Sequence, residues 1–315
     1  MSTYWRNREL ENMKKNRKTD AEIIKAITSN QKQTMKEIEQ QIEAFYGRYA
    51  TVEGIDMAEA RKRVKKLDID EYAAKAKRYV KGAHSDNEFI RAQSFTDEAN
   101  EEMRIYNVTM RINRLELLKT NIALELAAMT SDEQRFLEEK FMKSAMDEYE
   151  RQAGILRMTV FGTEKDAAKI VNASFHNAKW SERLWTNQQA LKAELNTLLN
   201  RGIIGGQNPR VLARELRKKF DASIYESERL MITELARIQE DVFEDSMEQA
   251  GIDEYEYIAE AGACKLCEPL DGKTFKLSEA MPGVNIFPMH PHCRCSAAPS
   301  VDRDAWERKM RESGR

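Results

Sequence analysis

The chain has 315 residues, 33% of them charged, yet its formal net charge at pH 7 is only −2. Positive and negative side chains therefore interleave over solvated faces, which excludes the single dominant field that wholesale nucleic-acid binding needs, while the length allows two or three domains with a core each. No run of 18 apolar residues occurs, so a membrane span is excluded on length, and the low count of thirteen Gly and six Pro favours long helices.

In chain order, the first eighteen residues set Arg6, Arg8, Lys14, Lys15, Arg17 and Lys18 against Glu9 and Glu11, beside Tyr4 and Trp5. This reads as a basic arm with an aromatic anchor. No apolar core lies between Met1 and Asp20, so no secretory signal is expected and the compartment is a reducing cytoplasm. Asp20 is placed to cap a long helix whose apolar positions Ile27, Met35, Ile38, Ile42, Phe45 and Tyr49 mostly recur every three or four residues. Gly54 breaks it. A strongly basic helix follows, with Arg61, Lys62, Arg63, Lys65, Lys66, Lys75, Lys77, Arg78 and Lys81, which is either a solvated face or a surface for DNA phosphates or an acidic partner. After a turn at Gly82 to Asn87, Met103, Met110, Leu117 and Leu124 repeat every seven residues, a spacing that packs helix on helix. Thr130 or Ser131 is expected to stop that helix, and Ser131 with Gln134 has capping-box spacing for the next, through Leu137, Phe141 and Glu148.

From Gly154 to Asn200 the character changes. Trp180 and Trp185 near Arg183 are expected to close a domain core, and His176 is expected to be an ordinary histidine. Gly202, Gly205 and Gly206 form a loop before Asn208 and Pro209, which read as N-cap and first helical residue. Leu212, Leu216 and Phe220 line one side of the helix that follows. Ser223 with Glu226 then forms a second capping box, opening a helix that runs to Gly251 with the stripe Met231, Leu235, Ile238 and Val242. Glu234 flanks this stripe, and a buried carboxylate there needs a cation, for which Arg294 is the candidate. Tyr255 to Ala259 alternates like a strand. Asp271-Gly272 signals a turn before a second strand at Lys273 to Lys276, giving a small hairpin, and Asp302 to Arg315 is a charged tail.

All four cysteines and two of the four histidines fall between Cys264 and Cys295. Cys264-x-x-Cys267 presents two sulfurs on a short turn, and zinc takes four such thiolate or imidazole ligands in a tetrahedron. The second pair comes from His290, His292, Cys293 and Cys295, two donors more than needed. Residues 293 and 295 share a face if the segment is extended, whereas His290 and Cys293 suit a turn around Pro291. The favoured set is Cys264, Cys267, His290 and Cys293, holding a structural zinc. A redox CxxC would stand near a βαβ pattern, which the flanking residues do not supply, and two disulfides would need an oxidising compartment.

The order Trp180-Ser181, Arg183, Trp185-x-Asn187, the Gly loop, LMITEL at 230 to 235, Cys264-x-x-Cys267 with Leu270-Asp271-Gly272, and His290-Pro291-x-Cys293-Arg294-Cys295 resembles the phage head-morphogenesis or minor capsid proteins related to the F protein of phage Mu. The resemblance covers roughly residues 155 to 300, with His292 standing where that family pattern has a small polar residue. It implies a structural protein of the virion with no catalytic residues, carried in few copies inside the capsid at the portal vertex and assembled in the bacterial host cytoplasm. Its implied partners are the portal protein and capsid or scaffolding protein, with a role in DNA packaging or ejection; the basic patches add weak, non-specific DNA contact. The alternative is a zinc-dependent hydrolase or toxin-like enzyme with Glu234 as general base. The expected fold is mainly α, α+β overall: a helical N-terminal region with the basic arm (1–153), a helical connecting segment (154–205), a head-morphogenesis domain with a β-hairpin and zinc knuckle (206–300), and the charged tail (301–315).

Overall fold

A computed structural model of the chain describes residues 3–49, 74, 114–156, 160, 162–204, 207–302, 304–306 and 308. The predicted break at Gly54, the basic run from Arg61 to Lys81, the turn at 82–87, the heptad positions Met103 and Met110, the loop glycines Gly205 and Gly206, and most of the charged tail lie outside the described residues.

The described chain is mainly helical. Helix α1 (Thr3–Tyr49) is followed by α2 (Arg114–Leu156), the short α3 (Glu164–Val171), α4 (Trp180–Leu199), a π-helical turn (Asn200–Ile204) and α5 (Pro209–Ala250). Three short strands close the fold: β1 (Glu254–Ile258), β2 (Thr274–Lys276) and β3 (Ser296–Pro299) form an antiparallel sheet in the order β2-β1-β3. This is the expected fold class, a helical N-terminal half with a small C-terminal sheet beside the cysteines.

Three of the expected helix boundaries do not occur. Helix α1 passes through Asp20, α2 through Thr130 and Ser131, and α5 through Ser223. A capping side chain ends a helix only where the backbone also leaves helical geometry. No Gly or Pro stands at any of these three points, so propagation continues, and at the first two packing buries the polar side chain instead. Asp20 and Ser131 are both buried. The true ends of α5 follow the expectation. Asn208 Oδ1 accepts the Arg210 amide at 2.9 Å ahead of Pro209. At the other end Gly251 takes φ +64, with the amides of Gly251 and Ile252 bonded back to Glu248 and Met247 at 3.0 Å each, a Schellman closure that only a residue without Cβ adopts freely.

The chain divides into two compact units. One contains Lys25–Phe136 and Ser181–Ser227, and its core interleaves Ile38, Ile42 and Phe45 of α1, Leu118, Ile122 and Leu126 of α2, Leu191 and Leu195 of α4, and Leu212, Leu216 and Phe220 of α5. Steps of three and four along each helix give every one an apolar stripe, and burying four stripes against each other removes them from water together. Gly202 in the π-helical turn packs closely on this core: a Cβ there would lie 2.6 Å from Leu212 Cδ1 and oblige that side chain to shift. A buried polar group fixes the register: Gln31 Nε2 donates to Glu133 Oε2 at 2.9 Å and to Ser227 Oγ at 2.8 Å. Trp185, half-buried in this unit, donates its indole N–H to Gln134 at 2.7 Å.

The other unit contains Met1–Ile24, Leu137–Trp180 and Glu228–Arg315. Trp180 belongs here, packed edge-on to Phe141 with ring centroids 5.1 Å apart, so the two tryptophans close different cores and not one. His176 is exposed and stacks beside Phe175. The expected basic arm is the first part of α1, and its cations are partly consumed by acids of the sheet and its loops. Arg6 pairs with Glu256 at 2.6 Å and Asp271 at 2.8 Å, and Arg17 pairs with Glu260 at 2.6 Å. Deeper in, Arg151 bridges Glu9 and Glu148, both at 2.6 Å, while Glu9 also accepts from Ser296 Oγ at 2.9 Å. Buried charges of this kind persist because each is paired and hydrogen-bonded.

The helical core carries a direct test. Phe220→Ala empties a fully buried site and is expected to lower unfolding free energy by about 3–5 kcal/mol. Tyr225→Ala, at an exposed position on the same helix, is expected to change it by less than about 0.5 kcal/mol. Urea unfolding of the two variants measures the contrast.

Candidate metal centre

The sheet frames the cysteines. Strand β1 pairs with β2 in the register Tyr255↔Phe275 and with β3 in the register Tyr257↔Ala297 and Ile258↔Ser296. The β1 to β2 connection carries the CxxC, and the β2 to β3 connection delivers His290 and the last two cysteines. Between them Asp271-Gly272 makes the expected turn, with Gly272 at φ +73 and Asp271 Oδ1 accepting the Ala259 amide at 2.9 Å.

Both halves of the donor set use the same local device. The Cys267 amide donates to the Cys264 carbonyl at 3.0 Å, and the Cys293 amide donates to the His290 carbonyl at 3.0 Å, so each x-x spacer closes an i to i+3 turn that brings its two donors to one side. In the second turn His292 takes φ +65, and its amide donates to Thr233 Oγ1 of α5 at 3.3 Å. Thr233 itself donates to the Arg229 carbonyl at 2.7 Å. A helical side chain therefore pins the turn that carries His290 and Cys293, and sequence spacing alone gives no sign of it.

The donor atoms converge. Nε2 of His290 lies 3.2 Å from Cys264 Sγ and 3.4 Å from Cys267 Sγ. Donors on one tetrahedral zinc stand about 3.6 Å apart, from Zn–S near 2.3 Å and Zn–N near 2.0–2.1 Å, so the spacing suits a metal. The other ring nitrogen, Nδ1, sits 2.7 Å from the Pro291 carbonyl. A carbonyl only accepts, so Nδ1 carries the proton and the Nε2 lone pair is left facing the sulfurs, as a metal-bound imidazole requires. The atoms of Cys264, Cys267 and His290 fall within 4.8 Å of one another, as do those of Cys267, Cys293 and Cys295. Cys267 belongs to both groups, and the soft sulfur-rich donor set is of the type that selects zinc over calcium or magnesium.

The electrostatics divide the thiols. The backbone amides of Cys267 and Leu266 favour the Cys264 thiolate and lower its pKa. The hydrogen bond from Cys295 outweighs burial at Cys293 and brings that thiol down to about 5, while donating this bond, together with burial, raises Cys295. Burial pushes Cys267 up to about 12. Tyr257 of β1 lies beside Cys295 and Cys267, and its buried hydroxyl keeps its proton. His292, the surplus imidazole, is turned by its positive φ onto Thr233 through its amide and falls in neither group of converging donors.

The expected Glu234–Arg294 pair is not formed. Glu234 is buried and bound by Arg237 Nε at 2.8 Å, one helical turn along α5, and Arg237 also reaches Asp241 and the Ile170 and Val171 carbonyls at the end of α3. An i, i+3 partner on the same helix is available without ordering a distant loop. Arg294 instead pairs with Asp20 of α1. Asp20, Thr233 and Tyr257 are thus the neighbours of the centre that sequence reasoning missed; only the period of Asp20 within the buried stripe of α1 hinted at one of them.

Two outcomes test the geometry. Elemental analysis of purified protein is expected to give one zinc per chain. Cys264→Ser should lose it and loosen the sheet more than Cys295→Ser, because Cys264 converges with Cys267 and His290 in the favoured set whereas Cys295 lies outside that set; zinc content and thermal unfolding of the two variants give the comparison.

No curated protein and no solved structure matches the chain. Residues 193–298, which hold all of α5, the sheet apart from Pro299, and each of the cysteine and histidine donors just described, match the family described as Phage Mu protein F like protein. That match supports the relation of this chain to the phage head-morphogenesis family.

Proposed function

We propose that the chain is a minor head protein of a tailed bacteriophage that docks in few copies at the portal vertex of the procapsid, within the capsid, and assists packaging or ejection of the genome. The observation that carries this reading is the family match over 193–298, because it spans the Thr233-Glu234 segment and the whole cysteine-histidine centre. Within it, a structural zinc on Cys264, Cys267, His290 and Cys293 holds the sheet and its loops together. Cys293 completes the set because it shares the His290 turn just as Cys267 shares the Cys264 turn. Zinc supplies four strong bonds to loops that the sheet alone cannot hold, and this chain's residues contribute the donor geometry and the fixed His290 tautomer.

The role is structural, not catalytic. A hydrolase reading would use Glu234 as general base, but that carboxylate is 1% exposed and held by Arg237 at 2.8 Å. A general base must reach the water it activates. Portal and capsid or scaffolding proteins are the proposed partners, engaged through apolar helix surfaces, and DNA contact is weak, sequence-independent and made through Arg61 to Lys66 and the free cations of the N-terminal segment. No helix among the described residues is long and apolar enough to cross a membrane.

Mass spectrometry of purified virions is expected to find the chain at far lower copy number than the major capsid protein, and tagged portal protein is expected to retain it. Its absence from virions would overturn the reading. DNA retention is expected to fall steeply between about 50 and 200 mM salt and to drop when Arg61, Lys62, Arg63, Lys65 and Lys66 become Ala, while portal association survives both changes.

A further inference from the structure

Arg294 stands between two cysteines of the centre, and almost nothing of it reaches water: the side chains of Arg294 and its partner Asp20 are each 9% exposed. A guanidinium has five N–H donors in a fixed fork. Here Nη2 donates to Asp20, whereas Nε and Nη1 have no hydrogen-bond partner among the described residues. The remaining negative groups that act on this cation are the Cys293 sulfur and Glu260. A buried cation with three of its five donors unused is costly unless an anion lies close by. One does when the cysteines are thiolates. Three thiolates and one imidazole around a divalent zinc leave a net charge of −1, and this charge falls on the sulfurs next to Arg294.

We infer that Arg294 is the counter-ion of the loaded metal centre and, through Asp20, couples metal binding to the docking of the first turns of α1 on the sheet. The inference rests on the zinc reading proposed above. Arg294 is not a ligand; it is a positioning residue that stands in the chain between Cys293 and Cys295 and is held by Asp20 through Nη2. Asp20 sits one stripe further along α1 than Arg6, Glu9 and Arg17, which meet Glu256, Asp271, Ser296 and Glu260 of the sheet and its loops. Loading the metal fixes the thiolate charge, which fixes Arg294, which completes the row of contacts holding residues 3–24. Coupling of this kind is reciprocal: a docked helix pre-places Arg294 and favours the thiolates, and a bound metal favours the docked helix.

The test uses the full chain. Zinc affinity is measured by competition with a chromophoric chelator for the wild type, Arg294→Met and Arg294→Lys. Loss of the cation is expected to weaken zinc about 10-fold to 100-fold, the range for outer-shell partners, and Arg294→Lys to recover part of the loss, which a purely space-filling role would not do. Amide hydrogen exchange of the wild type, before and after zinc is withdrawn by chelation, needs no variant. Residues 9–24 are expected to exchange faster on metal removal while residues 27–45 stay protected. Asp20→Asn, which keeps shape and removes the charge, is expected to speed exchange over 9–24 with zinc still bound. Zinc binding to Arg294→Met at wild-type affinity, or protection of 9–24 that ignores the metal, would overturn the inference. A wild-type chain that takes up no zinc would instead remove the metal reading on which it rests.

Discussion

Three strands of five, three and four residues cannot bury a core between them, and the rest of this unit is organised around that shortage. A sheet so small is stable only when something packs on its face and something ties its loops. Tyr255 and Tyr257 turn inward from β1, fully buried, and Tyr255 meets Phe243 of α5 edge-on with centroids 6.3 Å apart. The loops are longer than the strands they join, so they need cross-links of their own; the converging sulfurs and His290 are placed to provide them.

Charge does the work that apolar area would do in a larger sheet. Glu9, Arg151, Glu148, Glu234, Arg237, Asp20 and Arg294 are all buried or nearly so: Glu9 with Arg151, Asp20 with Arg294, and Arg237 with the Ile170 carbonyl join separate segments, while Glu148 and Glu234 pair along their own helices. A buried ion pair adds little net stability over a hydrophobic pair of the same shape, but removing one partner is severe. Such pairs therefore discriminate strongly between right and wrong docking. The first turns of α1 meet the sheet mostly through these contacts, helped by Trp5 against Trp306 at 6.4 Å, so this unit is specified by complementarity as much as by burial.

The other unit is built on the opposite principle. Its interior is leucine, isoleucine and phenylalanine from four helices, with one polar pin at Gln31, Glu133 and Ser227. The family match begins at residue 193 and covers the sheet, apart from Pro299, and the cysteine-histidine cluster, leaving all of α1 and α2 outside it. The matched portion thus contains the converging cysteines and His290, while the unmatched helices contribute apolar stripes together with specific buried polar groups such as Glu9, Asp20 and Arg151.

The sequence alone determined whatever depends on near neighbours. Helical stripes follow from three- and four-residue spacing, the start and end of α5 from Asn208-Pro209 and Gly251, the first hairpin from Asp271-Gly272, and the two turns that present Cys264 with Cys267 and His290 with Cys293 from their x-x spacers, because each is decided within a few residues. Tertiary structure decided the rest. Asp20, Ser131 and Ser223 carry cap chemistry but lie inside helices, since continuing a helix that packs well outweighs a local side-chain bond. Strand β3 was invisible because SAAP lacks branched and aromatic residues; it exists by pairing with β1, and its four residues are all buried. The partner of Arg294 could not be read either, as it lies 274 positions away and an ion pair leaves no periodic trace in a single chain. Only folding brings Asp20, Thr233 and Tyr257 to the centre, because proximity across such separations is a property of how the helices and sheet pack and not of any stretch of sequence.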